Sequence, residues 1–430
     1  LGNHGLDNGA GEDWTLQLAN PIDHGFDSAR LARIAAFLER DYVGPGRFPG
    51  ADILVARDGV PVWRATMGRM RDDGTPWAHD AICRMASMTK PIVSLAFMML
   101  VEAGVVAPDD PVTKVVPEFA GLRIYAGGGG DAPFVPGALA APMRMVDLLS
   151  HQAGLTYGIQ NRTNIDAAYR KGRLDGHASL AGNDAFIEGL AKLPLAFQPG
   201  EAWTYSVSVD VLGVIVSRLS GQSLGAFLKA HIFDPLGMVD TGFFCPADKA
   251  HRLTDAWWTQ VPGRPSQVLD PADQSGVLRE PRFESGGGGL VSTMADYHRF
   301  CRMLVGRGGA DGVQLVSPAT LRLMTANHLR KPDGSAADLP HVARGLFSDA
   351  RQAGTGFGLG FAVTTDPVRN LTPGNAGEFY WSGIYSTKFF VDPVEALSMV
   401  FLTQVGPSVV FPIREQLKTL IYAALIDSRA

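Results

Sequence analysis

The chain has 430 residues, 46% of them hydrophobic and 19% charged, enough apolar material for a sizeable core in one large domain or two. A formal net charge of -5, with no long Lys/Arg run, excludes a protein that holds nucleic acid by a basic stripe. Three widely spaced cysteines, Cys83, Cys245 and Cys301, exclude a disulfide framework and offer no C-x-x-C zinc pattern.

The first thirteen residues, L-G-N-H-G-L-D-N-G-A-G-E-D, lack the basic and apolar regions of a signal peptide. No stretch reaches the roughly 18 uninterrupted apolar residues of a membrane span. The expectation is therefore a soluble, cytoplasmic protein with neither nucleic acid nor membrane as partner. Residues 27–42 place Leu31, Ile34, Phe37 and Leu38 at helical spacing, with Asp27 or Ser28 as N-cap. Residues 51–68 read as a β-hairpin about Asp58-Gly59. From residue 87 a buried helix is expected to about 103, because I-V-S-L-A-F-M-M-L-V is apolar all round. Residues 126–137, A-G-G-G-G-D-A-P-F-V-P-G, read as loop. The stretch 285–297 reads as a glycine run followed by a Ser/Thr-capped helix. Three strand-like stretches follow at 356–365, 378–393 and 396–405, close enough for an antiparallel meander, with a closing helix at about 410–427. The simplest assembly puts the hairpin and the late strands in one sheet. That gives a discontinuous α/β domain of residues 14–86 and 287–430, a mainly helical insertion at 87–286, and an active site at their interface.

Residues 84–91 read R-M-A-S-M-T-K-P. Ser87 and Lys90 are three apart, so in a helix they share a face and the amine can reach the hydroxyl. Pro91 near the helix start costs little there. Burial disfavours a charged ammonium, so Lys90 is expected to take the serine's proton and make it a nucleophile. The rival reading makes Ser87 a cap and lets Lys90 reach solvent. A second serine competes: Gly221-Gln222-Ser223-Leu224-Gly225 matches the G-x-S-x-G elbow of α/β-hydrolases. The elbow needs a strand before it and a helix after it. Here Val209, Leu212, Val216 and Leu219 have helical spacing, so Ser220-Gly221 reads as a helix stop and Ser223 as the next N-cap.

Three further stretches bear on Ser87: L-L-S-H-Q-A-G-L (148–155), W-T-Y-S-V-S-V-D-V-L-G (203–213) and Y-W-S-G-I (380–384). With S-M-T-K, F-D-P-L-G-M (233–238) and G-G-L-V-S-T-M-A-D (288–296), they resemble the serine β-lactamase and penicillin-binding-protein superfamily. Within it they resemble the family VIII carboxylesterases, the class C β-lactamase-like esterases, from about residue 25 to 425. The resemblance implies an α+β fold of the β-lactamase/DD-peptidase type, with an antiparallel sheet flanked by helices and a mainly helical inserted domain. It implies Ser87 as nucleophile, Lys90 as the amine that holds or shuttles its proton, and Tyr205 as catalytic tyrosine. Trp381, Ser382 and Gly383 would occupy the Lys-Thr-Gly strand and bind substrate, and the backbone N–H groups of Ser87 and Ile384 would form the oxyanion hole. No metal or organic cofactor is implied.

Two departures bear on the substrate. Tyr-x-Asn is Tyr205-Ser206-Val207 here, and the lysine of Lys-Thr-Gly is Trp381. Losing the amide and the cation favours a neutral ester over a penicillin or peptide carboxylate. The sequence therefore points to a serine carboxylesterase for short-chain acyl esters, with room for weak cephalosporin hydrolysis. A β-lactamase, an amide or oligomer hydrolase, an acyltransferase and a non-turnover penicillin-binding module remain open beside it, as does a hydrolase working through Ser223. His151 reads as a loop histidine bonded to local backbone rather than a triad base. Gly286–Gly289 lacks G-K-[ST] and reads as a close backbone approach or a turn, not a phosphate loop. Trp257-Trp258 and the stretch 157–169 read as loops that could wall an acyl pocket or pack on the surface.

Overall fold

The computed structural model describes residues 16–176, 182–260, 265–331, 333–345 and 352–430. The N-terminal stretch 1–13 and the first two residues of the expected α/β domain lie outside them. In chain order, α1 (Ser28–Leu38) is capped by Asp27, whose carboxylate accepts from Arg30 N at 3.0 Å. Strands β1 (Gly50–Arg57) and β2 (Val60–Gly68) form the expected hairpin. Asp58 and Gly59 both have positive φ, 53° and 74°, as the tight hairpin turn requires.

The next helix, α2 (Thr89–Glu102), starts two residues later than its sequence suggests, because Ala86–Met88 form a 3-10 turn ahead of it. It is buried all round, as its composition demands. It packs against α3 (Ser208–Ser220). Gly221 ends α3 in the left-handed conformation, and Ser223 caps α4 (Leu224–Leu228) by accepting from Ala226 N. Thr293 caps α5 (Met294–Val305) in the same way.

The C-terminal run gives β3 (Thr355–Phe357), β4 (Ala362–Thr364), β5 (Phe379–Ser382), β6 (Lys388–Asp392) and β7 (Leu397–Leu402), then α6 (Ile413–Ala424). The stretch 356–365 is thus two strands, because Gly358 and Gly360 turn the chain between them: a Cβ on Gly358 would sit 2.1 Å from Met324 O, and one on Gly360 2.5 Å from Ser94 Oγ. These strands and the hairpin make one antiparallel sheet of order β3-β4-β5-β6-β7-β1-β2. Successive side chains face opposite sides. On β6, Phe389 meets Tyr297 of α5 at 5.3 Å between rings, and Phe390 meets Tyr422 of α6 at 6.3 Å. Helix α1 lies beside α6, with Arg30 bonded to Ala423 O at 2.9 Å.

Two expected loops are partly strand. Pro136–Leu139 pairs with Arg123–Tyr125, and Ala256–Trp258 pairs with Gln267–Asp270 and with Val405–Gly406. Tyr169 belongs to a helix, Asn164–Gly172. Glycine and proline argued for loop in the first case, and cross-strand pairing overrode them. Among the described residues no single helix is long and apolar enough to cross a membrane.

The end of the hairpin is locked by a buried ion pair. Arg57 reaches Glu395 at 2.8 Å with both side chains 1% exposed, and Ser428 Oγ also donates to Glu395, at 2.6 Å. Glu395→Ala strands a buried guanidinium, so it is expected to cost about 3–5 kcal/mol of stability, read from urea unfolding. A loss below about 1 kcal/mol would show that water replaces the carboxylate.

Candidate active site

The turn before α2 sets the position of Ser87. Ala86 adopts φ +47°, a left-handed conformation that costs a non-glycine residue energy and persists only when its surroundings hold it. They do so on several sides. Met85 N donates to Leu290 O at 2.8 Å, Leu290 N to Thr89 Oγ1 at 3.1 Å, and Thr387 Oγ1 to Met85 O at 3.2 Å. Gly383 is pressed against the same turn: a Cβ there would sit 2.5 Å from Met85 O and 2.3 Å from Thr387 Oγ1. The backbone that follows β5, carrying Gly383 and Ile384, is therefore laid beside Ser87. The serine is half-buried at the front of the turn.

Lys90 is 1% exposed, so it does not reach solvent. Its Nζ donates to Ser87 Oγ at 3.2 Å, Tyr157 Oη at 3.1 Å and Gly287 O at 2.6 Å. Those three acceptors suit the three donors of an ammonium. The same atom lies 4.6 Å from the Tyr205 ring centroid and 5.3 Å from that of Tyr157, within cation–π range. Tyr205 Oη donates to Ser87 Oγ at 2.6 Å. Its backbone is fixed by the neighbouring segment: Thr204 N donates to His151 O at 3.0 Å, Val207 N to Thr156 O at 3.2 Å, and Gln160 Nε2 to Tyr205 O at 2.9 Å.

The structure thus brings Ser87, Lys90 and Tyr205 together and sets Ser382, Gly383 and Ile384 along one side. Trp381 is 6% exposed and stands with its ring 5.4 Å from Tyr205 and 5.3 Å from Phe357. It walls the tyrosine on one side. Val207, where Tyr-x-Asn has its amide, is fully buried.

His151 differs from its expected setting. Its imidazole bonds the side chain of Ser206, at 3.1 Å from Nδ1, and not local backbone. Its ring lies 5.0 Å from that of Tyr205, tilted by 57°. Burial, then the charge of Lys90, holds it well below the usual imidazole range, so it stays neutral. The Ser223 hydroxyl accepts from Ala226 N and donates to Glu284 at 3.3 Å. It is a cap between two helices, and the elbow geometry is absent.

Sequence reasoning missed Tyr157 and Asp210. Asp210 lies five residues after Tyr205 in the quoted W-T-Y-S-V-S-V-D, and is 1% exposed. It accepts from Tyr157 Oη at 3.3 Å, Ser285 Oγ at 2.5 Å and Gly287 N at 3.0 Å. An acid set among Val209, Val211 and Leu212 on a helix was the available signal. Burial, then Asp210, raises the Tyr157 phenol well above its ordinary range, so Tyr157 keeps its proton. The glycine run is a close approach, as expected: a Cβ on Gly286 would meet Val209 O at 2.5 Å, and one on Gly287 would meet Asp210 Oδ2 at 2.2 Å.

The model of the Beta-lactamase family matches residues 35–423. Esterase EstB of Burkholderia gladioli is 31% identical over 434 residues, 95% of this chain and all of that one. Protein Rv1367c of Mycobacterium tuberculosis is 36% identical over 341 residues, 78% of this chain and 80% of its own length. Among solved structures, EstCE1, described as a hydrolase with promiscuous acyltransferase activity, superposes with a TM-score of 0.74 at 24% identity, over 94% of this chain and all of that one.

Tyr205 Oη is the group nearest to Ser87 Oγ that can exchange its proton. Tyr205→Phe is therefore expected to slow labelling of Ser87 by a fluorophosphonate about 10²- to 10⁴-fold, the range for a lost general acid–base group, with the melting temperature kept. Labelling at the wild-type rate would remove Tyr205 from the chemistry.

Proposed function

The chain belongs to the Beta-lactamase family, a family of serine hydrolases with the β-lactamase/DD-peptidase fold, and from that premise we propose that it is a carboxylesterase for small neutral esters. The observation that carries this reading is the Ser87 hydroxyl held at 2.6 Å from Tyr205 and 3.2 Å from Lys90. The serine's proton passes to Tyr205 Oη as Oγ attacks the ester carbonyl, while Lys90 Nζ keeps an N–H on the serine oxygen and steadies the charge growing there. The Ser87 and Ile384 amides receive the tetrahedral oxyanion, a term commonly worth several kcal/mol. Collapse expels the alcohol, which leaves with the proton held at Tyr205. Water then attacks the acyl-serine along the same path, giving the acid and restoring Ser87. No step needs a group beyond these side chains, two amides and water.

The ester preference follows from what surrounds the serine. Trp381 presents an apolar ring where a lysine would hold a substrate carboxylate, and Val207 is buried where an amide would donate. Without a lysine at that position a substrate carboxylate loses the cation that would pair with it, and an unpaired, desolvated carboxylate is costly. The likeness to an esterase from Burkholderia gladioli supports the same class. Short acyl chains are the substrates of this reading, with the Tyr205 and Trp381 rings, 5.4 Å apart, beside the nucleophile. The expected site of action is the cytoplasm.

Two experiments test this. Ser87→Ala is expected to abolish hydrolysis of p-nitrophenyl butyrate, while Ser223→Ala leaves kcat/KM within about twofold; the reverse pattern would falsify the assignment. Trp381→Lys is expected to raise activity on carboxylate-bearing cephalosporins relative to neutral esters. An unchanged ratio across a substrate panel would mean that the missing cation does not set the preference.

A further inference from the structure

Lys90 is a flexible side chain on which the proposed chemistry depends, and something must hold it still. We propose that Tyr157 and Asp210 form a positioning arm for Lys90, a buried carboxylate that fixes the amine through a phenol on one side and a peptide on the other. The proposal rests on the reading of Ser87 as nucleophile and Lys90 as its partner.

The arm is a closed ring of hydrogen bonds. From Lys90 Nζ it runs to Tyr157 Oη (3.1 Å), on to Asp210 Oδ2 (3.3 Å), from Oδ1 to Gly287 N (3.0 Å), and from Gly287 O back to Nζ (2.6 Å). Four separate segments meet in it: α2, the loop at Tyr157, α3 and the glycine run. Each carboxylate oxygen serves one route, and Ser285 adds a third donor at 2.5 Å. Two glycines make the room. A Cβ on Gly176 would sit 2.1 Å from Asp210 Oδ1, and one on Gly287 2.2 Å from Oδ2.

Packing does not call for this. A carboxylate taken out of water costs several kcal/mol after relaxation, and an apolar side chain of similar volume commonly serves stability better. Asp210 is 1% exposed on the buried part of α3, beside Val209, Val211 and Leu212, and its donors lead to Lys90, a side chain that also touches Ser87. Tyr157 keeps its proton, so it donates to Asp210 and must accept from Lys90. That fixes which way the amine's N–H groups point and leaves one of them for Ser87. Tyr157 is thus an orienting group, and Tyr205 is the tyrosine that exchanges a proton with Ser87.

The test compares Tyr157→Phe, Asp210→Asn and the double variant with wild type, measuring kcat and KM for p-nitrophenyl butyrate and the rate at which fluorophosphonate labels Ser87. A misplaced catalytic group costs on the order of a hundredfold. The expectation is therefore that each single variant loses about tenfold to a hundredfold in kcat and in labelling rate, with KM within about twofold. The double variant should match Asp210→Asn alone, because both act along one path. Wild-type kcat in a folded Tyr157→Phe, a change confined to KM, or losses that multiply in the double variant would each overturn the arm. Should Asp210→Asn fail to fold, Tyr157→Phe decides by itself. Labelling does not depend on the substrate class, so a wild type that labels without hydrolysing esters defeats the ester reading and leaves the arm still measurable. A wild type that does not label defeats the arm together with the nucleophile.

Discussion

The hydrogen bond between Tyr205 Oη and Ser87 Oγ, 2.6 Å long, joins two segments that are 118 residues apart, and the rest of the molecule is arranged so that it can form. One partner sits on a left-handed residue, Ala86, at the front of a helix buried on every side. Such a turn is unfavourable alone. It survives because the turn between β5 and β6 presses on it through Gly383 and Thr387, and because Met85 N bonds Leu290 O behind it. The other partner stands on an extended segment that borrows its hydrogen bonds from residues 151–160. Neither support is local in sequence, so rigidity at the serine is a property of the whole assembly.

Burying Lys90 has a desolvation cost that its surroundings must offset. They do so with three oxygen acceptors and two aromatic faces. The interaction with Ser87 is the longest of the three bonds, at 3.2 Å. The amine is therefore held mainly by groups that take no part in bond making, and its contact with the nucleophile is left free to shorten as charge grows on Oγ. That is the pattern expected of electrostatic preorganisation, in which dipoles are in place before the reaction begins.

Much of this was legible in the sequence where the signal was periodic or carried by a few adjacent residues. The Asp58-Gly59 turn, the Asp27 and Ser223 caps and the all-round apolar α2 follow from rules that act within a dozen residues. Ser87, Lys90 and Tyr205 came from motifs and resemblance, and the structure places them in contact. What escaped was non-local. The strands at Ala256–Trp258 and Pro136–Leu139 exist because partners elsewhere in the chain pair with them, which overrides weak local preference. The 3-10 turn at Ala86 is likewise imposed from outside. Tyr157 was read only as a loop aromatic, because its role is defined by Lys90 and Asp210, 67 and 53 residues away.

The contrast between the two serines shows why the same residue type reads so differently. Ser223 satisfies a five-residue pattern and has a carboxylate, Glu284, within 3.3 Å, yet it sits between two helices and spends its oxygen on a helix N-terminus. Ser87 satisfies a weaker pattern and has a tyrosine and a lysine converging on it from two elements. Reactivity is a matter of which groups converge, and convergence is set by the sheet-to-helix interface rather than by the tetrapeptide. The replacement of a cation by Trp381 fits the same logic. Its ring stands 5.4 Å from Tyr205 and 5.3 Å edge-on from Phe357, so in the proposed reading one side chain both braces Tyr205 and removes the charge that would have invited a carboxylate.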